Sequence, residues 1–184
     1  MMNPVVAIVA MAMIAYPVVA QTGVNISVVN CPNDPTDLEG YTSLAALNND
    51  MQLELQRISN GGAPAPPYTF TLCPNQVFDA TLVTLQPVLS DATFVCGANG
   101  DPEDDCTLLG GEEQVRIEDS TVDGYLLENL VFVGLSFADF SNSDEMLGSS
   151  IAALASSTTT ATFMNNRWSV SFRSHRICFH DRVL

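Results

Sequence analysis

A β-solenoid with one helix over its N-terminal end is the architecture that this 184-residue sequence predicts. Three observations lead there. Short apolar runs ended by Cys, Asn, Asp or Ser recur at 69–74 (Thr-Phe-Thr-Leu-Cys-Pro), 92–97 (Ala-Thr-Phe-Val-Cys-Gly), 115–120 (Val-Arg-Ile-Glu-Asp-Ser) and 161–166 (Ala-Thr-Phe-Met-Asn-Asn). The first three begin 23 residues apart and the fourth lies two such steps further on, a period of the kind stacked coils produce. From Tyr68 onward, runs rich in Val, Phe, Leu and Thr alternate with Gly, Asn, Asp and Pro. Finally, no helix of useful length alternates with these runs, and two-residue hairpin turns between them are scarce. That argues against a doubly wound α/β sheet and against a β-sandwich.

The elements follow in order. Residues 1–20 carry no charged side chain and end in Val18-Val19-Ala20 ahead of Gln21, the pattern of a cleaved secretory signal peptide. Residues 21–67 form an N-terminal segment. Within it, Leu44, Leu47, Met51, Leu55 and Ile58 fall at helical spacing behind a Thr42 or Ser43 cap, with Asn48, Asn49, Asp50, Glu54 and Gln56 mostly on the opposite face. The run Gly61-Gly-Ala-Pro-Ala-Pro-Pro67 stops this helix and forms a stiff linker. Strands are expected near 68–73, 76–79, 92–96, 106–109, 114–118, 129–137 and 161–164, within a coil region spanning 68–168. Gly134 marks a bend or bulge in the long apolar run, and 149–156 reads equally as strand or short helix. The helix has a physical purpose, because an uncovered solenoid end exposes strand edges and apolar interior.

Charge and cysteines narrow the environment. Residues 21–166 hold 20 acids and two Arg, and 167–184 hold four Arg and one Asp; the net charge is −15, with no Lys. So acidic a surface repels phosphate backbones and excludes nucleic acid as a partner class. No later segment is long and apolar enough to cross a bilayer, so no membrane is expected after signal cleavage. Five cysteines in a secretory chain read as two disulfides and one left over. Cys96 and Cys106 bracket a polar loop that a bridge closes without strain, and proximity then pairs Cys31 with Cys73. Four cysteines allow three connectivities, and Cys178 is the odd one. Asn25-Ile-Ser27 is a glycosylation sequon.

The run of motifs carries a resemblance. Leu72-Cys-Pro-Asn75, Thr93-Phe-Val-Cys-Gly97, Cys106-Thr-Leu-Leu-Gly-Gly111, Gln114-Val-Arg-Ile117, Leu127-Glu-Asn-Leu-Val-Phe-Val-Gly-Leu-Ser-Phe137 and Ala161-Thr-Phe-Met-Asn-Asn-Arg-Trp168 occur in that order. Over about residues 28–168 the chain resembles the N-terminal part of secreted right-handed parallel β-helix proteins of the pectate-lyase-like superfamily, especially uncharacterised microalgal members. The resemblance implies a right-handed parallel β-helix, and acidic polysaccharides as the substrate class of the superfamily's enzymes. The tail 169–184 departs from it: this stretch holds both His, the odd Cys and three of the six Arg, and the coils stop early. It reads either as a truncated product or as a basic closing segment.

Candidate chemistry is sparse. A lyase needs carboxylates holding calcium beside a basic group that abstracts a proton. Arg116 is the only basic side chain between Arg57 and Arg167. A hydrolase needs Asp residues on adjacent coils; Asp104-Asp105 matches only superficially, in a Pro-containing loop. No catalytic residue is therefore assigned. Asp101, Glu103, Asp104 and Asp105 are the calcium candidates, because hard cations take several oxygen ligands. His175, Cys178 and His180 offer an incomplete zinc set, read as accidental clustering. Tyr125, Phe132, Phe137, Phe140, Phe163 and Trp168 read mainly as core, with Trp168 as the exposed platform for a ligand. The expected function is a secreted or cell-surface solenoid that binds glycans or proteins without catalysis, self-associating through an uncapped C-terminal coil. The alternative is a lyase or glycoside hydrolase fragment lacking its catalytic coils.

Overall fold

Ser43 starts the one α-helix among the described residues. Its hydroxyl accepts the amide of Ala46 at 3.2 Å and satisfies a donor that the first turn leaves free. The computed structural model describes residues 27–32, 36–118, 127–139, 150–154 and 159–169. The stretch 1–20, the sequon at Asn25, Tyr125, Phe140 and the tail from 170 lie outside the described residues. Helix α1 (Leu44–Ser59) buries Leu44, Leu47, Met51 and Leu55, as their spacing predicts. Before it, β1 (Val29–Asn30) and β2 (Glu39–Gly40) form a small antiparallel pair. Two-residue strands lie below any readable period, so this pair was not foreseen.

Among the described residues, all strands after the linker pair in parallel. One sheet holds β3 (Tyr68–Leu72), β5 (Ala92–Cys96), β8 (Leu130–Val133) and β11 (Ala161–Met164) as neighbours in that order. A second holds β4 (Val77–Asp79), β6 (Cys106–Leu109), β9 (Leu135–Ala138) and β12 (Arg167–Ser169). A third ladder pairs β7 (Val115–Glu118) with β10 (Ile151–Leu154), and Leu85 bridges to Val115 on its other side. The described residues are therefore mostly parallel β-sheet with a single α-helix.

Two corrections concern these strands. The 23-residue period does not describe the stacking. Phe70, Phe94, Phe132 and Phe163 are the residues in register, separated by 24, 38 and 31 positions. Val115 starts a strand of the third ladder instead. The repeat is uneven because connections such as 97–105 are inserted at the corners, outside the pleated segments. The expected strand 129–137 is two strands, divided at Gly134, whose φ of 71° turns the chain from the first sheet to the second. A side chain there would drive Cβ to 2.5 Å from the Gly100 carbonyl oxygen. Asn75, Asp105 and Asn165, at φ 56°, 48° and 56°, turn the equivalent corners. These residue types tolerate the left-handed region best after Gly.

Period-2 alternation aims one file of each strand inward. Phe70, Phe94, Phe132 and Phe163 stack with centroids 5.4, 5.1 and 4.8 Å apart. Phe78, Leu108, Phe137 and Trp168 make the corresponding file of the second sheet. Gln114 is fully buried, and its Nε2 donates to the carbonyls of Leu108 and Ala138 on neighbouring strands. The apolar face of α1 joins this same core.

The β3 end of the stack is closed by more than apolar contact. Tyr41 donates its amide to Thr71 O and accepts from Cys73 N. Asn48 Nδ2 donates to Thr84 O at 2.7 Å, and its Oδ1 accepts from Gln86 N at 3.1 Å. The primary amide thus offers one donor and one acceptor to the backbone flanking Leu85, as a neighbouring strand would.

Candidate functional site

The loop between β5 and β6 begins at Cys96 and ends at Cys106, which are joined by a disulfide with Cα atoms 5.6 Å apart. Cys31 and Cys73 form the second bridge, at 5.2 Å. This is the pairing that proximity selects among the three connectivities. The sulfurs of all four are in the interior, and Cys106 Sγ lies 3.3 Å from the carbonyl of Cys73. The two bridges therefore staple neighbouring segments of one corner.

Within the loop, Pro102–Asp104 forms a single 3₁₀ turn. The Asp101 carboxylate accepts from Glu103 N at 2.9 Å and caps that turn, and the Asp105 carboxylate accepts the Thr107 hydroxyl at 2.9 Å. The Asp104 carbonyl takes the amide of Asn75, which ties the loop to the preceding corner. Asp101, Glu103 and Asp105 are exposed and Asp104 is half-buried. Among the described residues no three His, Cys, Asp or Glu side chains converge as metal ligands would. The carboxylates of Asp101 and Asp105 are directed into separate local hydrogen bonds rather than toward one point.

Arg116 stands on the outer face of β7. Its guanidinium meets Glu118 at 2.6 Å and Glu113 at 3.5 Å. The hydrogen bond to Glu118 and the charges of both acids raise its pKa above the ordinary guanidinium range. A guanidinium whose charge is already taken up by two carboxylates is unsuited to abstracting a proton.

Trp168 is 52 % exposed, but not as an outward platform. Its register partner is Phe137, on which it stacks at 5.3 Å, and it occupies the inward file of the second sheet. Its exposure comes from its place on the last described strand. Phe132 and Phe137 are core residues, and Phe163 is half-buried at the same end.

The structure also places together residues that the sequence reading separated. Asp50 and Glu54, expected on the solvent face of α1, are 3 % and 8 % exposed. Asp50 accepts the Ser27 amide at 2.6 Å and the Tyr41 hydroxyl at 3.1 Å. Glu54 is clasped by Arg57 through two nitrogens at 2.6 Å each and accepts the Tyr68 hydroxyl at 3.0 Å. The Arg57 hydrogen bonds hold the Glu54 carboxyl below its ordinary range against the opposing effect of burial, with Tyr68 assisting. Burial, and then the charge and hydrogen bond of Asp50, push the Tyr41 hydroxyl well above the phenol range. Each carboxylate thus accepts a tyrosine hydroxyl from outside the helix, an arrangement that fastens the helix down. The available signal was the four-residue spacing of two acids between buried positions, with Tyr41 and Tyr68 flanking the helix.

No family model, curated protein or solved structure matches this chain.

Proposed function

We propose that the protein is a secreted or cell-surface right-handed parallel β-helix that serves as a non-enzymatic binding or structural module, with a glycan or another protein as its partner. The observation that carries this reading is the order of the ladders. The chain contributes a strand to the first sheet, then one to the second, then one to the third, and repeats the circuit around one core. Successive coils of a parallel solenoid have that connectivity. Two interior disulfides support an oxidising compartment. Among the described residues no helix is long and apolar enough to cross a membrane. The pairing of Arg116 with Glu113 and Glu118 argues against its abstracting a proton. Calcium enters the proposal only as weak binding to the exposed acids of the 101–105 loop.

The test is incubation of the purified chain with acidic polysaccharides, with and without calcium, alongside chromatography on the same glycans immobilised. Retention without cleavage is the expected result. New reducing ends would establish a hydrolase, and unsaturated products a lyase. Either would overturn the non-enzymatic reading.

A further inference from the structure

We infer that Asn60–Gly61, at the C-terminal end of α1, is a site of spontaneous deamidation, and that the fold withholds the same reaction from Asn99–Gly100. These are the two Asn-Gly pairs of the chain. The reaction takes place within one pair of residues and needs no partner but water.

Its chemistry is simple. The Gly amide nitrogen attacks the Asn side-chain Cγ and gives up its proton. The new N–Cγ bond closes a five-membered succinimide, and Nδ2 leaves with that proton as ammonia. Water then opens the ring at either carbonyl. Opening at the main-chain carbonyl leaves iso-aspartate, which lengthens the backbone by one carbon; opening at the other leaves Asp. Nothing is oxidised or reduced. Glycine favours the step because no Cβ shields its nitrogen or restricts its backbone.

The two pairs share their local hydrogen bonding. The Gly61 amide donates to Ile58 O and the Gly100 amide to Cys96 O, each at 2.9 Å, and both glycines have positive φ. Ring closure in either pair therefore requires that bond to open and the Gly peptide to swing toward the Asn side chain. What surrounds the swinging peptide differs.

Asn60 and Gly61 are both exposed, and a Cβ built on Gly61 meets nothing within 4 Å. Asn60 is the C-cap of α1, at φ −84° and ψ 13°. The amides of Gly61 and Gly62, donating to Ile58 O and Arg57 O, close the helix in a Schellman motif. A helix terminus opens at small cost, because water replaces its last hydrogen bonds. Asn99 is exposed as well, but Gly100 is buried. A Cβ on Gly100 would run into Val133 and approach Val95, and Gly134 packs against the Gly100 carbonyl from the next corner. The Gly100 peptide can swing only if β5 and β8 part from the loop above them.

The product at Asn60 bears on the helix that closes the β3 end. Either form places a carboxylate at the negative pole of α1, where it is unfavourable. The extra carbon of iso-aspartate also puts the Gly62 amide out of register with Arg57 O.

The test is to age the purified, disulfide-intact chain at mildly alkaline pH, then digest it at mildly acidic pH, where ring closure stalls. Mass spectrometry of the peptides reads the exchange of NH2 for OH and separates Asp from iso-aspartate. Asn60 should convert about tenfold or more faster than Asn99. In urea with the disulfides reduced, the two should convert at comparable rates. Asn60→Gln should abolish conversion at that end, and Val133→Ala, which opens space over Gly100, should quicken conversion at Asn99. The iso-aspartyl fraction, isolated by ion exchange, should melt below the parent. An Asn60 that stays intact in the folded chain overturns the inference, whatever part of the chain shields it. An Asn99 that converts as fast as Asn60 when folded, or that remains slow when unfolded, overturns the protective role of packing.

Discussion

Asp50 and Glu54 show how single side chains decide where the helix sits. Burying a carboxylate is costly unless its lone pairs are occupied, and here each one receives a tyrosine hydroxyl and a second donor. The depressed pKa of Glu54 has a definite pH consequence. Its contribution to stability is fully present above the unfolded-state value, about 4.3 for Glu, and is lost as pH falls through the lower folded-state value. Glu54→Gln keeps the shape but removes the charged acceptor for Arg57. Urea unfolding across a pH series should show the variant less stable by about 1.5–3 kcal/mol at neutral pH. The gap between variant and parent should narrow below about pH 4. A gap that does not change with pH would mean that the Glu54 charge plays no part in fastening the helix.

At the scale of elements, corners and staples organise the strands. Asn75, Asp105, Gly134 and Asn165 turn the chain between the first and second sheets, all at positive φ. Asn166 then braces the corner before it: its Oδ1 accepts from Leu135 N at 2.7 Å and its Nδ2 donates to Phe132 O at 3.0 Å. The two disulfides act over different loop lengths, spanning 42 and 10 positions. In the chain-entropy account the longer loop stabilises more, about 4 kcal/mol against about 2–3. Cys31→Ser with Cys73→Ser should therefore lower the urea midpoint further than Cys96→Ser with Cys106→Ser. The reverse order would place the main stabilisation in local packing of the acidic loop.

At the scale of the whole molecule, the proposed solenoid predicts a one-dimensional series in which each strand layer is held by its neighbours. Phe94 has an aromatic ring on both sides, at 5.4 and 5.1 Å. Phe94→Ala should cost about 3–5 kcal/mol. Phe163, half-buried on the last described rung, should cost no more than about 2 kcal/mol by its smaller buried area. Equal losses in denaturant unfolding would contradict a graded stack. The amino-acid sequence by itself determined the local pieces: a cap at Thr42 or Ser43 and the 44–55 apolar stripe, the positions of most strands, a bend at Gly134 and the cysteine pairs nearest to hand. These depend on spacing within a few residues, where backbone sterics and side-chain alternation leave little choice. Tertiary structure alone decided the vertical register, the burial of Asp50 and Glu54 and the direction of Trp168. Register depends on how long each corner insertion is. The acids are buried because Tyr41 and Tyr68 come from elsewhere in the chain to meet them. Trp168 turns inward because Phe137, 31 positions earlier, lies directly beneath it.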